Sequence, residues 1–370
     1  MRIDVFDYDL PPDRIAQYPT PEREQARLLV VPPRDSPDTA FQDRTVADLA
    51  DAIPEGALVV VNDTRVIPAR LLGQKADTGG KVEIFLVRFA EKRAIPTPGG
   101  GTREVDVWHA MGKASKPFRF GSDVIAGNVR IHLFGRGEDG LLEVGLSSLT
   151  KESTEHELAA AGHVPLPPYI KREDEALDQE RYQTVFARVP GALAAPTAGL
   201  HLSRALLGRL SVRGCELASV TLHVGLGTFQ PVMVDDLDAH PMHSETFEIS
   251  RTTAAAIAKA RDRGAPVVAV GTTVVRALES AVDPDFHAER GRVLATRGET
   301  RLLIQPGYRF RIVDQLVTNF HLPRSTLLAL VCAFGGYERV LEAYRYAVRE
   351  GYRFFSYGDA MMLSLAQDPS

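Results

Sequence analysis

The sequence contains few cysteines and no long apolar run, and both absences narrow the class of protein. Its 370 residues include two cysteines, Cys215 and Cys332, which excludes a disulfide-rich scaffold and favours reduced thiols in a cytoplasmic protein. No window approaches about eighteen uninterrupted apolar residues, so the sequence predicts no membrane span. The first nine residues contain three acids, so we expect no signal peptide. The apolar fraction of 44% and the charged fraction of 25% are ordinary for a globular protein.

The motifs of several common enzyme classes are also missing. The sequence has no G-x-x-x-x-G-K-[ST], no H-E-x-x-H, no G-x-S-x-G and no paired C-x-x-C. Residues 225–230 begin like a dinucleotide-binding loop, but Gln230 replaces the third glycine and Pro231 continues an extended chain. This argues against a dinucleotide site or an ordinary methyltransferase site. His240 and His243 are separated by a proline, which argues against a shared helix face, and we predict no metal site there.

The net charge of −5 is distributed unevenly. Between Arg65 and Arg136 there are thirteen Lys and Arg against six Asp and Glu, so the remainder of the chain is acidic. The densest part of this basic segment contains Lys113, Lys116 and Arg119. Such local density is typical of a solvated sheet face, and it is also what a surface that follows a phosphate backbone needs.

The spacing of apolar residues changes twice along the chain. Residues 58–62 form a continuous apolar run typical of a buried strand. Residues 66–149 contain short alternating runs separated by glycines, which predict a small antiparallel β-barrel. After residue 150, predicted helices and strands alternate, as in an α/β layer. We therefore predict a larger α/β domain, residues 1–64 and 151–370, with the small barrel, residues 65–150, inserted into it.

Hydroxyl side chains mark where several helices of the larger domain start. Ser250 precedes a helical pattern that ends at Gly264, and Ser325 precedes an apolar helix, so both are predicted N-caps. Thr272 or Thr273 is predicted to cap the helix that lies between these two. These caps fix the ends of the elements around the polar clusters described next.

Six polar clusters lie at the ends of predicted elements in the larger domain. Each cluster alone is typical of a cap, a turn or a satisfied histidine, but six in one domain indicate an enzyme site. They are Asn62-Asp63-Thr64-Arg65, residues 196–201 with Thr197 and His201, residues 221–225 with His223, His243-Ser244-Glu245, Gly271-Thr272-Thr273 with Arg276 and Glu279, and Thr318-Asn319-Phe320-His321.

Taken together, these clusters resemble the S-adenosylmethionine:tRNA ribosyltransferase-isomerase family of queuosine biosynthesis. The resemblance covers the chain from end to end and departs from the family pattern at Leu202, at Ala329 and in an extended loop at residues 96–102, all outside the polar clusters. The matching stretches are residues 6–15, 60–71, 165–172, 195–201, 220–232, 242–248, 271–280, 318–328 and 352–361.

The resemblance implies one reaction and one architecture. S-adenosylmethionine serves as ribosyl donor to 7-aminomethyl-7-deazaguanine in the tRNA anticodon, giving epoxyqueuosine-tRNA, adenine and methionine. A larger α/β domain with a smaller β-barrel is expected, in a cytoplasmic monomer. No metal is expected, and no cofactor beyond S-adenosylmethionine, which is a consumed co-substrate.

Residue type and position suggest roles in this chemistry. The sulfonium acidifies the ribose 5′ carbon, adenine needs an acid or donor as it leaves, and the aminomethyl nucleophile must lose a proton. The candidates for proton transfer are His223, His243, Glu245, Asp63 and His321. The candidates for holding substrate groups are Arg65, Arg70, Thr197, His201, Gly271, Thr272, Thr273 and Arg276, and those for contacting tRNA are Lys113, Lys116 and Arg119.

Two other functions compete with this interpretation. An S-adenosylmethionine-dependent RNA methyltransferase would use the same donor but release S-adenosylhomocysteine, and the missing third glycine argues against it. A non-catalytic RNA-binding module would use the basic segment but leave the six polar clusters without a purpose.

Overall fold

The structure is a computed structural model that describes residues 1–34, 36, 38–97, 100–137, 140–225, 232–286 and 291–366. The extended segment predicted after Gly225 lies outside these residues. The chain forms two compact units. The larger comprises Met1–Arg65, Pro167–Glu173 and Glu180–Ser370, and the smaller comprises Val66–Leu166 and Asp174–Gln179. Within the described residues, no helix combines the length and the apolar composition needed to cross a membrane.

The regular elements are labelled in chain order. The strands are β1 (Arg27–Val31), β2 (Gln42–Thr45), β3 (Leu58–Asn62), β4 (Thr64–Val66), β5 (Arg70–Lys75), β6 (Lys81–Pro96), β7 (Thr102–Ala114), β8 (Asp123–Ala126), β9 (Val129–Arg136), β10 (Leu142–Ser148), β11 (Gly162–His163), β12 (Val189–Ala192), β13 (Glu216–Leu222), β14 (Glu245–Ile249), β15 (Val267–Val270), β16 (Thr296–Thr300), β17 (Gln315–Asn319) and β18 (Ala360–Ser364). The helices are α1 (Leu49–Ala52), α2 (Thr154–Ala161), α3 (Ala176–Arg181), α4 (Arg204–Val212), α5 (Arg251–Asp262), α6 (Thr272–Ser280), α7 (Thr326–Gly335) and α8 (Tyr337–Arg349).

The larger unit contains a mixed nine-stranded sheet. Its strand order is β16-β14-β13-β3-β15-β17-β18-β1-β2, and the neighbours among β13, β3, β15 and β17 are parallel. All five residues of β3 are buried. Leu58 and Val60 pack into one hydrophobic cluster while Val59 and Val61 pack into another, so both faces of the sheet are covered. This explains the continuous apolar run, which is typical of strands in parallel sheets.

The direction of these strands gathers the polar clusters at one edge. Because β3, β13, β15 and β17 are parallel, Asn62, Leu222, Val270 and Asn319 end their strands on the same side of the sheet. Strand β14 runs antiparallel to β13, so its first residue, Glu245, lies on that side too. Open α/β sheets bind their ligands outside the carboxyl ends of the strands.

The smaller unit is built on an antiparallel sheet in the order β11-β5-β6-β7-β10-β9-β8. A further two-residue pairing joins β5 to β8, through Gln74 with Ile125 and Lys75 with Val124. Gly112 on β7 has no room for a side chain, because a Cβ there would lie 2.5 Å from Leu142 Cδ1. The prediction of a mixed α/β fold with more than one sheet is confirmed.

The smaller unit extends beyond residue 150, where the sequence placed the end of the insertion. Helix α2 and strand β11 both belong to it, whereas the sequence assigned them to the larger domain. The physical reason is strand pairing, since Gly162 and His163 of β11 align with Leu71 and Arg70 of β5.

Candidate functional site

A cleft lies in the larger unit at the carboxyl edge of its parallel strands. The lining is mostly apolar, with hydroxyl and amide groups converging from the strand ends. It is formed by Tyr169, Ala195, Pro196, Thr197, Ala198, Val224, Gly271, Thr272, Thr273, Thr318, Asn319, Phe320, His321, Leu322, Ser325, Leu327, Phe355 and Ser356.

The N-terminus of helix α6 forms one border of this cleft. Gly271 has φ of +99°, a left-handed conformation that favours glycine, and the helix starts directly after it. No side chain caps this helix end, so the predicted threonine cap is wrong. The first N–H groups of a helix lack intrahelical partners and favour an anion. Gly271, Thr272 and Thr273 are therefore placed to bind a carboxylate or phosphate.

An aromatic pair forms another part of the lining. The rings of Tyr169 and Phe355 stack with 4.5 Å between centroids and 23° between planes. The Tyr169 hydroxyl is hydrogen-bonded to Ser356 Oγ at 2.6 Å. Phe355 has φ of +71°, a left-handed conformation that costs a bulky residue about 1–3 kcal/mol. Strain of this kind clusters at functional sites, and the surrounding packing here holds Phe355 in place.

His321 lines the cleft and is uncharged. Its Nε2 lies 2.9 Å from Thr318 Oγ1, and its backbone N–H donates to the Tyr344 hydroxyl at 3.0 Å. Burial lowers the pKa of His321 to about 3. At neutral pH the ring therefore offers hydrogen bonds without positive charge.

His201 is equally buried and uncharged. It ends the short 3₁₀ turn Thr197–His201, of which Thr197 lines the cleft. Burial, assisted by the nearby charges of Arg353 and Arg23, lowers the pKa of His201 to about 3. Its Nε2 lies 3.0 Å from the side-chain nitrogen of Asn319, so His201 acts on the cleft through that amide.

Glu245 and Arg276 form a buried ion pair at the same edge of the sheet. Their side chains are 5% and 7% exposed, and Arg276 Nη1 contacts Glu245 Oε2. Arg276 Nε also donates to the Leu302 carbonyl at 3.1 Å, while its Nη2 is buried without a hydrogen-bond partner. The structure thus brings together two residues that the sequence assigned separately to proton transfer and to anion binding.

Glu279, three residues after Arg276, has a different environment. Its carboxylate accepts hydrogen bonds from the backbone N–H groups of Arg311, Ile312 and Val313 at 3.0–3.1 Å. Burial raises the pKa of Glu279 despite these bonds. The residue anchors a loop against helix α6.

His223 follows β13 and is half-buried. Its Nδ1 lies 2.8 Å from Thr64 Oγ1, and its ring lies against the α-carbon of Gly191, where a Cβ would approach Cε1 to 2.9 Å. Gly191 has φ of +141°. Burial and the charge of Arg297 lower the pKa of His223, opposed by two nearby carboxylates. The neutral ring is therefore favoured at neutral pH, which suits a proton acceptor.

Asp63 is held by a set of local partners. Ser219 Oγ, Thr221 Oγ1 and Arg188 Nη2 donate to its carboxylate at 3.0, 2.6 and 2.7 Å. Asp63 is 3% exposed and does not line the cleft. Through these contacts the Asp63 carboxylate holds the Arg188 side chain beside the end of β3.

His223, Glu245 and Arg276 do not line the cleft, and the remaining candidates also lie apart from its lining. His243 is exposed at the start of the segment before β14, and Arg65 is exposed in β4. Arg70 belongs to the smaller unit, where Nε donates to Glu83 Oε1 at 2.6 Å and Nη1 lies 4.0 Å from Asp174 Oδ1.

The three predicted tRNA-contacting residues lie together in the smaller unit. Lys113 is near the end of β7, and Lys116 and Arg119 follow in the next loop; all three are exposed. Lys75 fixes this loop by donating to the carbonyls of Lys116 and Pro117 at 3.1 and 2.7 Å. The cations are thus presented to solvent by a constrained loop.

Sequence reasoning missed two groups of residues. Tyr169, Phe355 and Ser356 line the cleft, yet Tyr169 lies in a proline-rich segment that indicates only an extended loop. Gly191 supports the His223 ring from a strand that no motif marks. A glycine within an apolar run is the one signal that was available for close approach.

The larger unit is that of an α/β enzyme, because its cleft lies where enzymes of this class bind their ligands. Residues 3–363 match the protein family described as queuosine biosynthesis protein. The chain belongs to that family.

Full-length relatives agree with this assignment. The chain is 58% identical to the S-adenosylmethionine:tRNA ribosyltransferase-isomerase of Sorangium cellulosum, over 98% of each chain. It is 51% identical to the protein of the same name from Anaeromyxobacter sp. strain Fw109-5, over 99% of this chain and 100% of the relative. Among solved structures, it resembles S-adenosylmethionine tRNA ribosyltransferase from Thermotoga maritima, with 31% identity and a TM-score of 0.52 over 97% and 99% of the two chains.

Proposed function

We propose that this enzyme transfers and isomerises the ribosyl group of S-adenosylmethionine onto 7-aminomethyl-7-deazaguanine in a tRNA anticodon. The products are epoxyqueuosine-tRNA, adenine and methionine. The observation that carries the proposal is the 58% identity over 98% of the chain to a relative named for this reaction. The reaction uses no metal and no cofactor beyond S-adenosylmethionine, which is consumed. The enzyme acts in the cytoplasm as a monomer.

The cleft of the larger unit binds S-adenosylmethionine. Its aromatic lining, with Tyr169 stacked on Phe355, suits a flat base. The uncapped N-terminus of α6, at Gly271–Thr273, suits the carboxylate of the methionyl group.

Proton transfer is assigned first to His223. The neutral imidazole accepts a proton from the ribose 5′ carbon, which the sulfonium acidifies, or from the aminomethyl nucleophile. Glu245 acts together with Arg276, His321 supplies an uncharged hydrogen-bonding group, and Asp63 positions its neighbours. His243, which is exposed, is assigned to contact with the tRNA substrate.

The smaller unit contributes the surface that contacts tRNA. We interpret its antiparallel sheet as a small barrel, and the pairing of β5 with β8 supports this interpretation. Lys113 on β7 and Lys116 and Arg119 on the following loop attract the phosphate backbone, because neutralising phosphates releases counterions. Arg65, in the larger unit, and Arg70, in the smaller unit, are further candidates for binding phosphate groups.

Product analysis tests the proposed reaction. The enzyme is incubated with S-adenosylmethionine and tRNA carrying the aminomethyl-deazaguanine precursor, and the small products are separated. Equimolar adenine and methionine are expected, and only when that tRNA is present. S-adenosylhomocysteine would instead identify a methyltransferase, and saturable tRNA binding without any product would identify a binding module.

The salt dependence of tRNA use tests the basic surface. We expect the triple substitution of Lys113, Lys116 and Arg119 by glutamine to raise the KM for tRNA. It should also reduce the slope of log KM against log salt by about 2–3, because each lost phosphate contact removes roughly one released counterion. The measurement is KM for tRNA at several salt concentrations.

A matched control replaces three exposed cations of the larger unit. Arg34, Lys259 and Arg349 each form a surface ion pair and are 58–67% exposed. Their replacement by glutamine should leave the slope as it is. An unchanged slope in the Lys113, Lys116 and Arg119 variant would remove this surface from the proposal.

A further inference from the structure

Strand β17 has a side-chain amide at each end, and both amide oxygens are buried without a hydrogen-bond partner. These atoms are Gln315 Oε1 at the amino end and Asn319 Oδ1 at the carboxyl end. Asn319 is 2% exposed and lines the cleft, whereas Gln315 does not. A buried acceptor without a partner is unfavourable, so Asn319 Oδ1 is expected to accept a hydrogen bond from a bound molecule.

The orientation of the Asn319 amide is fixed by its nitrogen. Nδ2 donates to the Phe355 carbonyl at 3.0 Å and lies 3.0 Å from His201 Nε2. A carbonyl oxygen only accepts, so rotating the amide by 180° would set Oδ1 against it. His201 is uncharged and can accept the second N–H. The oxygen is therefore the atom that remains available.

The neighbourhood of Asn319 indicates which donor it meets. The Phe355 carbonyl accepts the hydrogen bond from the Asn319 amide, and the ring of the same residue stacks on Tyr169. Flat aromatic side chains are the usual surface for a nucleobase, and an amide oxygen beside them can accept from an exocyclic amine. In S-adenosylmethionine, the flat group with such an amine is adenine.

We propose that Asn319 recognises the adenine of the donor, with Oδ1 accepting a hydrogen bond from the 6-amino group. This inference rests on the proposed function, since it names a contact within the same cleft. A base with a 6-oxo group presents an acceptor at that position and leaves Asn319 Oδ1 unsatisfied.

Ligand binding tests this contact, first in the natural chain and then in variants. S-adenosylhomocysteine, a non-reacting analogue of the donor, is compared with S-inosylhomocysteine by calorimetric titration of the full chain. We expect the 6-amino compound to bind roughly 10- to 100-fold more tightly. In Asn319→Ala the preference should fall below about threefold, while in the control Gln315→Ala, at the other end of the same strand, it should persist.

The outcomes separate this inference from the proposed function. Equal affinity of the two compounds for the natural chain overturns the inference, and so does a preference that survives in Asn319→Ala. If adenine and methionine are still produced from S-adenosylmethionine, the proposed function stands although the inference fails. If neither compound binds and no adenine is released, both fail.

Discussion

Replacement of His223 by alanine is expected to lower kcat/KM by about 10²- to 10⁴-fold, the range for loss of one general acid–base group. The ring is half-buried and its Nδ1 is hydrogen-bonded to Thr64, which leaves Nε2 as the proton acceptor in the proposed reaction. The measurement is release of adenine in the presence of precursor tRNA. His156, which is exposed in α2, provides a control, since His156→Ala should retain near-normal turnover.

The pH dependence of kcat/KM gives this prediction a second readout. Burial and Arg297 lower the pKa of His223 from its ordinary value of 6.5. A proton acceptor must be neutral, so activity is lost as the pH falls through this lowered pKa, and the acid limb lies below 6.5. Arg297→Gln removes one cause of the lowering and should move the limb to higher pH. An acid limb that stays in place would separate His223 from the proton transfer.

Variants of Thr64 and Gly191, the two neighbours of the His223 ring, test whether these residues position the imidazole for the reaction. Thr64→Val removes the hydroxyl partner and should lower kcat more than it changes KM, while Thr64→Ser should restore it. Gly191→Ala places a methyl group 2.9 Å from the ring and should displace it. Normal turnover in both Thr64→Val and Gly191→Ala would contradict the proposed orientation of the imidazole.

Much of the larger unit could be predicted because local rules agree with its fold. The strand predicted at residues 58–62 is β3, and Ser250 and Ser325 cap α5 and α7 because their hydroxyl oxygens accept hydrogen bonds from the backbone N–H groups of Thr253 and Leu328. The cap of α6 could not be predicted. Gly271 occupies that position with φ of +99°, and a following threonine is the stronger signal in sequence.

The site itself could be predicted only in part. Parallel strands bring the polar clusters that follow them to one edge of the sheet. The alternation of helices and strands in the sequence already implies such an arrangement. The partner of each polar group is a separate matter, because it depends on contacts between residues distant in sequence. Arg276 meets Glu245, Arg70 meets Glu83 in the smaller unit, and the Asp63 carboxylate meets three donors. None of these pairings follows from the spacing of the residues.

Arg276→Met is expected to reduce the free energy of unfolding by about 3–5 kcal/mol. It leaves the buried Glu245 carboxylate without the guanidinium that it contacts, and removal of one partner of a buried ion pair is strongly unfavourable. Removal of a surface pair is worth only about 0–1 kcal/mol, so Arg34→Met, at a pair 58% and 71% exposed, is the control. The measurement is urea denaturation of each variant.

The double variant Glu245→Leu with Arg276→Met determines whether the pair serves more than stability. Apolar replacement of both partners removes the unpaired charge, so most of the lost stability should return. Turnover should not return with it, because Arg276 Nη2 is buried without a hydrogen-bond partner and Glu245 also accepts from the Gly225 N–H at 3.4 Å, beside His223. If stability and turnover recover together, the pair is a packing element and the assignment of Glu245 and Arg276 to the reaction is wrong. If stability alone recovers, the two charges are needed for turnover, as the proposed function assigns.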